Sequence, residues 1–117
     1  MSDIVLYGIA NCDSIKKARK WLTEHNVDYQ FHDYKKSGID AKTLRHWASV
    51  VDWEVLLNRR GTTWRKLDES DKTDINESRA IDLMIEHTSM IKRPVLTVND
   101  HIEVGFNADV YSQILAS

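Results

Sequence analysis

The apolar and polar positions at the start of this 117-residue chain predict a strand, a helix and a second strand. Residues Ile4–Tyr7 form a short, β-branched apolar run closed by Gly8, which predicts a buried strand. From Asp13 the apolar positions take the helical period, and Asn26 is a residue suited to end a helix. Apolar and polar residues then alternate over residues 27–32, which is typical of a half-buried strand. The first part of the chain therefore predicts a βαβ unit.

The middle of the chain has the periodicity of helices. Asp40 is suited to cap the first of them, and a shorter helical segment covers residues 53–57. A third helix is expected to open at Thr73 and Asp74, because Glu77 follows Asp74 in capping-box spacing. The residues expected to be buried on or beneath these helices are Leu44, Trp47, Val50, Val51, Trp53, Trp64, Ile81, Met84 and Ile85.

The end of the chain predicts a hairpin and a last helix. Two strand-like runs, Val95–Val98 and His101–Val104, are joined by Asn99-Asp100, a pair of residues suited to a tight turn. Asn107 is placed to cap a final helix over residues 108–115. The chain thus closes with a ββα unit.

The order βαβ, helical insertion, ββα predicts an α/β (α+β) fold with a thioredoxin-like, mixed four-stranded sheet. At 117 residues the chain is long enough for one hydrophobic core and too short for two domains of ordinary size. We therefore expect a single domain over residues 1–117, with the helical insertion at about residues 39–90.

Composition narrows the class of protein. Hydrophobic residues make up 42% and charged residues 29% of the chain, as in a globular protein, and the net charge of −2 is too small to indicate a nucleic-acid surface. The apolar run near the N-terminus is too short and too interrupted for a signal peptide or a membrane span. The five histidines have no metal-ligand spacing. We therefore expect a cytoplasmic protein that binds neither nucleic acid, membrane nor metal.

Cys12, the only cysteine of the chain, follows the loop predicted over residues 9–11 and stands at the start of the first predicted helix. The unpaired N–H groups and the dipole of a helix start favour a thiolate. Lys16, one turn along the helix, is expected to lower the thiol pKa further, while Asp13 opposes that effect. We therefore predict a reactive Cys12 with a lowered pKa, the alternative being that an isolated cysteine is simply a small apolar residue. Because Ile15 stands where a C-x-x-C motif would have its second cysteine, a resolving thiol must come from another molecule.

Basic residues at two other places could bind an anion. Arg59 and Arg60 precede Gly61 in a basic segment whose guanidinium groups could hold a carboxylate or an oxyanion, although a basic loop is more often only solvated. Arg93 precedes Pro94, the only proline of the chain. The local sequence does not decide between a cis and a trans bond at that proline.

Five segments spread along the chain form a recognisable set: LYGIANCDSIKKARKWL, YQFHDYKKSGI, LLNRRGTTWRKL, IKRPVL and VGFNADVY. Taken together, they resemble the ArsC/Spx family of arsenate reductases and related regulators, and most closely its small YffB-like members. The resemblance spans nearly the whole chain. It implies a thioredoxin fold with a helical insertion, a nucleophilic cysteine at Cys12, a cis-proline at Pro94 and an anion-binding arginine at Arg93.

The arginine pattern departs from that of the glutathione-linked arsenate reductases, which use three arginines around the cysteine. Only Arg93 aligns cleanly. The second position corresponds to Asn58, with Arg59 and Arg60 as neighbours, and the third is occupied by Phe106. Because charge-assisted bonds supply most of the binding of a multiply charged oxyanion, this departure weighs against arsenate as the substrate.

The resemblance to the YffB-like members instead implies an enzyme, a glutathione-dependent thiol-disulfide reductase. We expect this enzyme to be a cytoplasmic monomer. Cys12 would form a mixed disulfide with glutathione, which acts as co-substrate beside a small-molecule or protein disulfide, and glutaredoxin is a further expected partner. Two alternatives stay open: an arsenate reductase, and a non-enzymatic, Spx-like regulator that binds RNA polymerase. The residues expected to bind glutathione or tune the thiol are Arg93, Pro94, Arg60, Arg59 and Lys16.

Overall fold

A computed structural model of the chain describes residues 4–10 and 12–115. Asn11 of the predicted loop, and the two ends of the predicted domain, lie outside the described residues. A 3₁₀ turn, Thr88–Met90, precedes the third strand. In chain order the strands and helices are β1 (Ile4–Gly8), α1 (Asp13–Glu24), β2 (Gln30–Asp33), α2 (Tyr34–Ser37), α3 (Ala41–Val51), α4 (Trp53–Leu56), α5 (Thr62–Lys66), α6 (Glu69–Lys72), α7 (Glu77–Glu86), β3 (Val95–Val98), β4 (His101–Val104) and α8 (Ala108–Leu115).

The four strands form one mixed sheet in the order β2-β1-β3-β4. Strand β1 is parallel to β2 and antiparallel to β3, and β3 is antiparallel to β4. Tyr7 therefore has His32 on one side and Val95 on the other. The predicted thioredoxin-like sheet is confirmed. We call the end of the sheet where β1 and β2 finish and β3 begins the carboxyl edge.

The chain divides into two compact units, and the sheet belongs to the first, which holds the residues before 35 and from 93 onward. Its core is a cluster of fully buried side chains from the two central strands, β1 and β3, and from two helices. One apolar face of α1 packs into this cluster, as the helical period of its sequence predicts. The members of the cluster are Leu6, Ala18, Leu22, Leu96 and Tyr111.

The second unit, residues 35–92, is helical. The predicted cap of α3 is confirmed, since Asp40 Oδ1 accepts a hydrogen bond from the Thr43 N–H at 2.8 Å. Leu44 and Trp47 are buried as expected. An isolated β-bridge joins Leu57 to Ile91 within this unit. The single domain over residues 1–117 stays a prediction.

Two predicted element starts are wrong. Strand β2 begins at Gln30 and not at residue 27, because the Val27 N–H still donates to the Leu22 carbonyl of α1 and the pairing with β1 starts at Gln30. Helix α7 begins at Glu77 and not at Thr73. Asp74 has a φ of +54°, which no α-helix accommodates, and the capping residue is Asn76.

Some predicted core residues are also more exposed than expected. Val50 lies on α3 but is 50% exposed. Trp53 and Trp64 are only half-buried. Helices α5 and α6 were absent from the predicted elements, because they have five and four residues and bury no side chain, so their sequences lack an apolar period.

Gly8 permits the close packing of β1 against α1. A Cβ atom at this position would overlap Cδ1 and Cγ1 of Ile15, a side chain that has no exposed surface and hence little room to move. Ile15 lies in the first turn of α1. The absence of a side chain at Gly8 thus sets how closely the start of α1 approaches the sheet.

We expect Gly8→Ala to lower the free energy of unfolding by about 1–3 kcal/mol, the usual cost of overpacking a core. Ile15→Val removes the Cδ1 atom and should itself cost about 0.5–1.5 kcal/mol. Because the two changes compensate each other, the double variant should be more stable than the sum of the single effects predicts. Urea unfolding of the four proteins checks this, and strict additivity would contradict the packing described.

Candidate active site

Cys12 lies at the start of α1. It is the N-cap residue, with extended backbone angles (φ −120°, ψ 131°), and its carbonyl accepts the Lys16 N–H at 3.0 Å. The neutral thiol makes no capping hydrogen bond. The N–H groups of Ser14 and Ile15 lie where a thiolate at Cys12 can accept them. Cys12 is half-buried, so its sulfur is partly shielded from water but still reachable.

The surroundings of Cys12 favour the ionised sulfur. Burial raises the pKa of the Cys12 thiol, but the backbone N–H groups of Ile15 and Ser14 and the guanidinium of Arg93 together lower it by more. The net pKa lies below the ordinary value of a cysteine. Arg93 acts both through its positive charge and as a hydrogen-bond donor. The predicted direction of the shift is confirmed, and the cation responsible is Arg93.

Sheet pairing brings Arg93 to the cysteine. Arg93 and Pro94 directly precede β3, whose first residue, Val95, is opposite Tyr7 near the end of β1. The Arg93–Pro94 peptide bond is cis, as the family resemblance implied. Pro94 is buried, and its carbonyl accepts the Gly105 N–H at 2.8 Å. The antiparallel pairing of β1 and β3 thus delivers a cation to the carboxyl edge, where α1 begins.

Lys16 is exposed on α1. The groups that shift the pKa of Cys12 are Ile15, Ser14 and Arg93, and Lys16 is not among them. Spacing along a helix places Lys16 on the same side as Cys12, but its flexible side chain extends into solvent. The expected contact of Lys16 with glutathione stays a prediction.

The two arginines of the second unit have different environments. The Arg59 guanidinium lies over the rings of Trp53 and Trp64, at 6.0 and 5.6 Å from their centroids. Arg60 is exposed, and its backbone N–H donates to Asn58 Oδ1 at 3.1 Å. The expected binding of glutathione carboxylates by either arginine stays a prediction.

The carboxyl edge also holds an aromatic cluster that the sequence reasoning missed. The rings of Tyr7 and His32 are 5.0 Å apart, those of Tyr7 and Tyr34 are 6.3 Å apart, and those of His32 and Tyr34 are 5.9 Å apart. Tyr34 is only 2% exposed, and its hydroxyl has no hydrogen-bond partner. The signal in the sequence was the parallel pairing expected of a βαβ unit, which sets Tyr7 beside His32.

No metal site is found in the part of the chain that the structure describes. Within residues 4–10 and 12–115, no three His, Cys, Asp or Glu side chains come together as metal binding would require. None of the described helices is long and apolar enough to cross a membrane.

Sequence comparison relates most of the chain to known proteins. Residues 7–114 match the ArsC family. An uncharacterized protein of Haemophilus influenzae is 40% identical over 113 residues, which are 97% of this chain and 99% of that protein. The global transcriptional regulator Spx 1 of Lactococcus lactis is 32% identical over 109 residues, which are 91% of this chain and 84% of the regulator.

Solved structures are similar over nearly the whole length. A protein named YFFB has a TM-score of 0.93 and 54% identity, over 96% of this chain and 98% of its own. An arsenate reductase (ArsC) related protein from Brucella melitensis has a TM-score of 0.76 and 49% identity, over 95% of this chain and 92% of its own. A glutaredoxin from Archaeoglobus fulgidus has a TM-score of 0.51 and 15% identity, over 100% of this chain and 89% of its own. This similarity supports the fold alone.

We expect Arg93→Gln to raise the pKa of Cys12, because it removes the cation that favours the thiolate. Alkylation by iodoacetamide, which consumes only the thiolate, should then show its midpoint at a higher pH and a lower rate at neutral pH. Lys16→Gln is the matched control, since it also removes one positive charge but should leave the midpoint unchanged. Equal shifts in the two variants would contradict the assignment of the effect to Arg93.

Arg59→Ala should lower the free energy of unfolding by about 0.5–1 kcal/mol, because the guanidinium over two indole rings is lost. Arg60→Ala, at the neighbouring exposed position, should change it by less than about 0.5 kcal/mol. Urea unfolding measures both values. A larger loss of unfolding free energy in Arg60→Ala than in Arg59→Ala would contradict a stabilising role for the cation–π contacts of Arg59.

Proposed function

This chain belongs to the ArsC family, and on that premise we propose that it is a glutathione-dependent thiol-disulfide reductase with Cys12 as its nucleophile. One observation carries the proposal: a half-buried thiol at a helix start, beside Arg93, with a pKa lowered from its ordinary value. A thiolate is the reactive form in exchange with a disulfide. The same surroundings that stabilise it as a nucleophile also make it a good leaving group.

The proposed cycle has two exchange steps. In the first, the Cys12 thiolate attacks the glutathione sulfur of a glutathione mixed disulfide; the S–S bond breaks, and the substrate sulfur leaves as a thiolate that takes a proton from water. In the second, the thiolate of another glutathione attacks the glutathione sulfur now bound to Cys12. Oxidised glutathione leaves, and the Cys12 thiolate is regenerated. The substrate sulfur is reduced to a thiol, and one reduced glutathione is oxidised as it joins the glutathione of the mixed disulfide to form oxidised glutathione.

An external thiol has to complete the cycle. The position three residues after Cys12 is Ile15, which is fully buried in the core and has no sulfur. Cys12 is also the only cysteine of the chain, so no internal disulfide can form. A monothiol route through glutathione is the simplest chemistry that these residues support. Arg93 would hold a glutathione carboxylate, since a guanidinium binds carboxylates in a forked geometry.

Arsenate reduction is the second candidate, and it draws support from the arsenate reductase (ArsC) related protein that is 49% identical to this chain. The chain has Asn58 and Phe106 at the positions corresponding to two of the three arginines of such enzymes. We therefore rank arsenate reduction below the reduction of a glutathione mixed disulfide. Arsenate-dependent consumption of reducing equivalents, measured with glutathione and glutaredoxin present, would reverse this order.

A regulator of transcription is the non-enzymatic alternative, in view of the 32% identity to Spx 1. In that case the chain would bind RNA polymerase, and Cys12 would not be needed. Recovery of polymerase subunits on the purified chain, undiminished by Cys12→Ser, would favour this alternative. No recovery would leave the enzyme as the better description.

We expect wild-type protein exposed to oxidised glutathione to gain one glutathione by intact-mass analysis, and Cys12→Ser to gain none. Arg93→Ala should form the adduct more slowly at neutral pH, because a smaller fraction of Cys12 is ionised. Reduced glutathione should then remove the adduct from the wild type. A wild-type protein that forms no adduct, or an adduct that reduced glutathione does not release, would contradict the proposed cycle.

A further inference from the structure

Two tyrosine hydroxyls are buried without a hydrogen-bond partner among the residues that the structure describes, those of Tyr34 and Tyr111. Both side chains are essentially inaccessible, at 2% and 0% exposed. A buried O–H without an acceptor is unfavourable, and native proteins keep few of them. Each therefore needs an explanation from its surroundings.

The surroundings of Tyr111 are those of an apolar core. Its ring makes edge contacts with Trp21, at 5.7 Å, and with Phe106, at 5.0 Å. It packs in the same cluster as Leu6 and Leu96. Burial raises the pKa of Tyr111, and the Glu103 carboxylate raises it further. Because a negative charge nearby disfavours an anionic ligand, we interpret Tyr111 as a core residue whose hydroxyl is enclosed.

The surroundings of Tyr34 are those of the candidate active site. Its ring is stacked on Tyr7 with an interplanar angle of 27°, and Tyr7 is opposite Val95 at the start of β3, directly after Arg93 and Pro94. The charge of Arg93 acts on the phenol of Tyr34 as it acts on the thiol of Cys12. Arg93 is thus the common electrostatic neighbour of the nucleophile and of an unused hydroxyl.

The Tyr34 hydroxyl is neutral at ordinary pH and can donate its proton in a hydrogen bond. Burial raises the pKa of Tyr34, and nearby Tyr7 raises it further, against a smaller opposing effect of Arg93. The phenol therefore keeps its proton. Tyr34 directly follows β2 and Arg93 lies just before β3, on either side of β1 at the carboxyl edge. A neutral O–H and a guanidinium at the same edge can both donate to one anion.

We propose that Tyr34 is a substrate-binding residue, whose hydroxyl and the guanidinium of Arg93 bind one anionic group of the substrate together. This inference rests on the proposed function, in which the anion is a carboxylate of glutathione. The hydroxyl oxygen is buried in this structure, so the proposed site requires the side chains that cover this oxygen to move when the anion binds. The carboxylate would then lie beside Cys12, with the peptide sulfur directed at the thiolate.

Calorimetric titration of the full chain tests the inference with two probes, S-methylglutathione, which cannot exchange with Cys12, and inorganic phosphate. Tyr34→Phe keeps the ring and removes only the hydroxyl, and it should weaken binding about tenfold, the loss expected for one hydrogen bond to a charged group. Tyr111→Phe is the matched control, because it removes the same atom from an equally buried side chain. It should leave binding unchanged.

The pattern of weakening identifies the anion. Weaker binding of S-methylglutathione by Tyr34→Phe supports a carboxylate, whereas weaker binding of phosphate alone supports the same pair of donors acting on an inorganic oxyanion. In turnover with a glutathione mixed disulfide, Tyr34→Phe should raise KM more than it lowers kcat. Its iodoacetamide midpoint should match the wild type, since Tyr34 is not among the groups that set the pKa of Cys12.

The inference is overturned if Tyr34→Phe binds both probes as tightly as Tyr111→Phe and wild type do, or if the wild type binds neither. Its failure can be told apart from failure of the proposed function. A wild type that forms the glutathione adduct while Tyr34→Phe binds normally would disprove only the role of Tyr34. A wild type that forms no adduct, but loses phosphate affinity on Tyr34→Phe, would keep the anion site and reject the glutathione cycle.

Discussion

The ionisation of one sulfur, at the N-cap of α1, is the physical condition on which the chemistry of this protein depends. Burial acts against it and is the largest single effect on the pKa of Cys12. Two backbone N–H groups and one guanidinium together outweigh that effect. The N–H groups are fixed by the helix, since the first turn of any α-helix has N–H groups without intrahelical partners. The guanidinium is the part that the tertiary fold has to supply.

The strand order of the sheet brings the Arg93 guanidinium to Cys12. Because β3 runs antiparallel to β1, the residues before β3 meet the residues after β1 at the carboxyl edge. Gly8 lets Ile15 pack closely at the same edge, which holds the start of α1 against the sheet. The core cluster then fixes the position of α1 through Ala18 and Leu22. Nucleophile, cation and the buried hydroxyl of Tyr34 are thus placed by packing that lies outside the site itself.

The parts of this arrangement that follow from local chemistry could be predicted from the sequence. The hairpin has the bounds that the sequence predicts, because Asn99-Asp100 is a local turn signal. In the structure Asn99 takes the left-handed conformation, at φ +54°, that such a turn needs. The parts that depend on distant contacts could not. Val50 has the helical period of a core residue but is 50% exposed. The sequence indicates Lys16 as the activating cation, because spacing along a helix is visible in a sequence. Arg93, the cation that acts on Cys12, instead comes from the start of the neighbouring strand β3, a contact between residues far apart in the chain.

The direct measurement is the pH dependence of the ultraviolet absorbance of the thiolate, taken as the difference between wild type and Cys12→Ser so that tyrosines cancel. The account predicts one transition whose midpoint lies below that of free cysteine, because the helix start and Arg93 outweigh burial. A midpoint at or above that of free cysteine in the folded protein would contradict it, since burial would then dominate and Cys12 would be a neutral thiol.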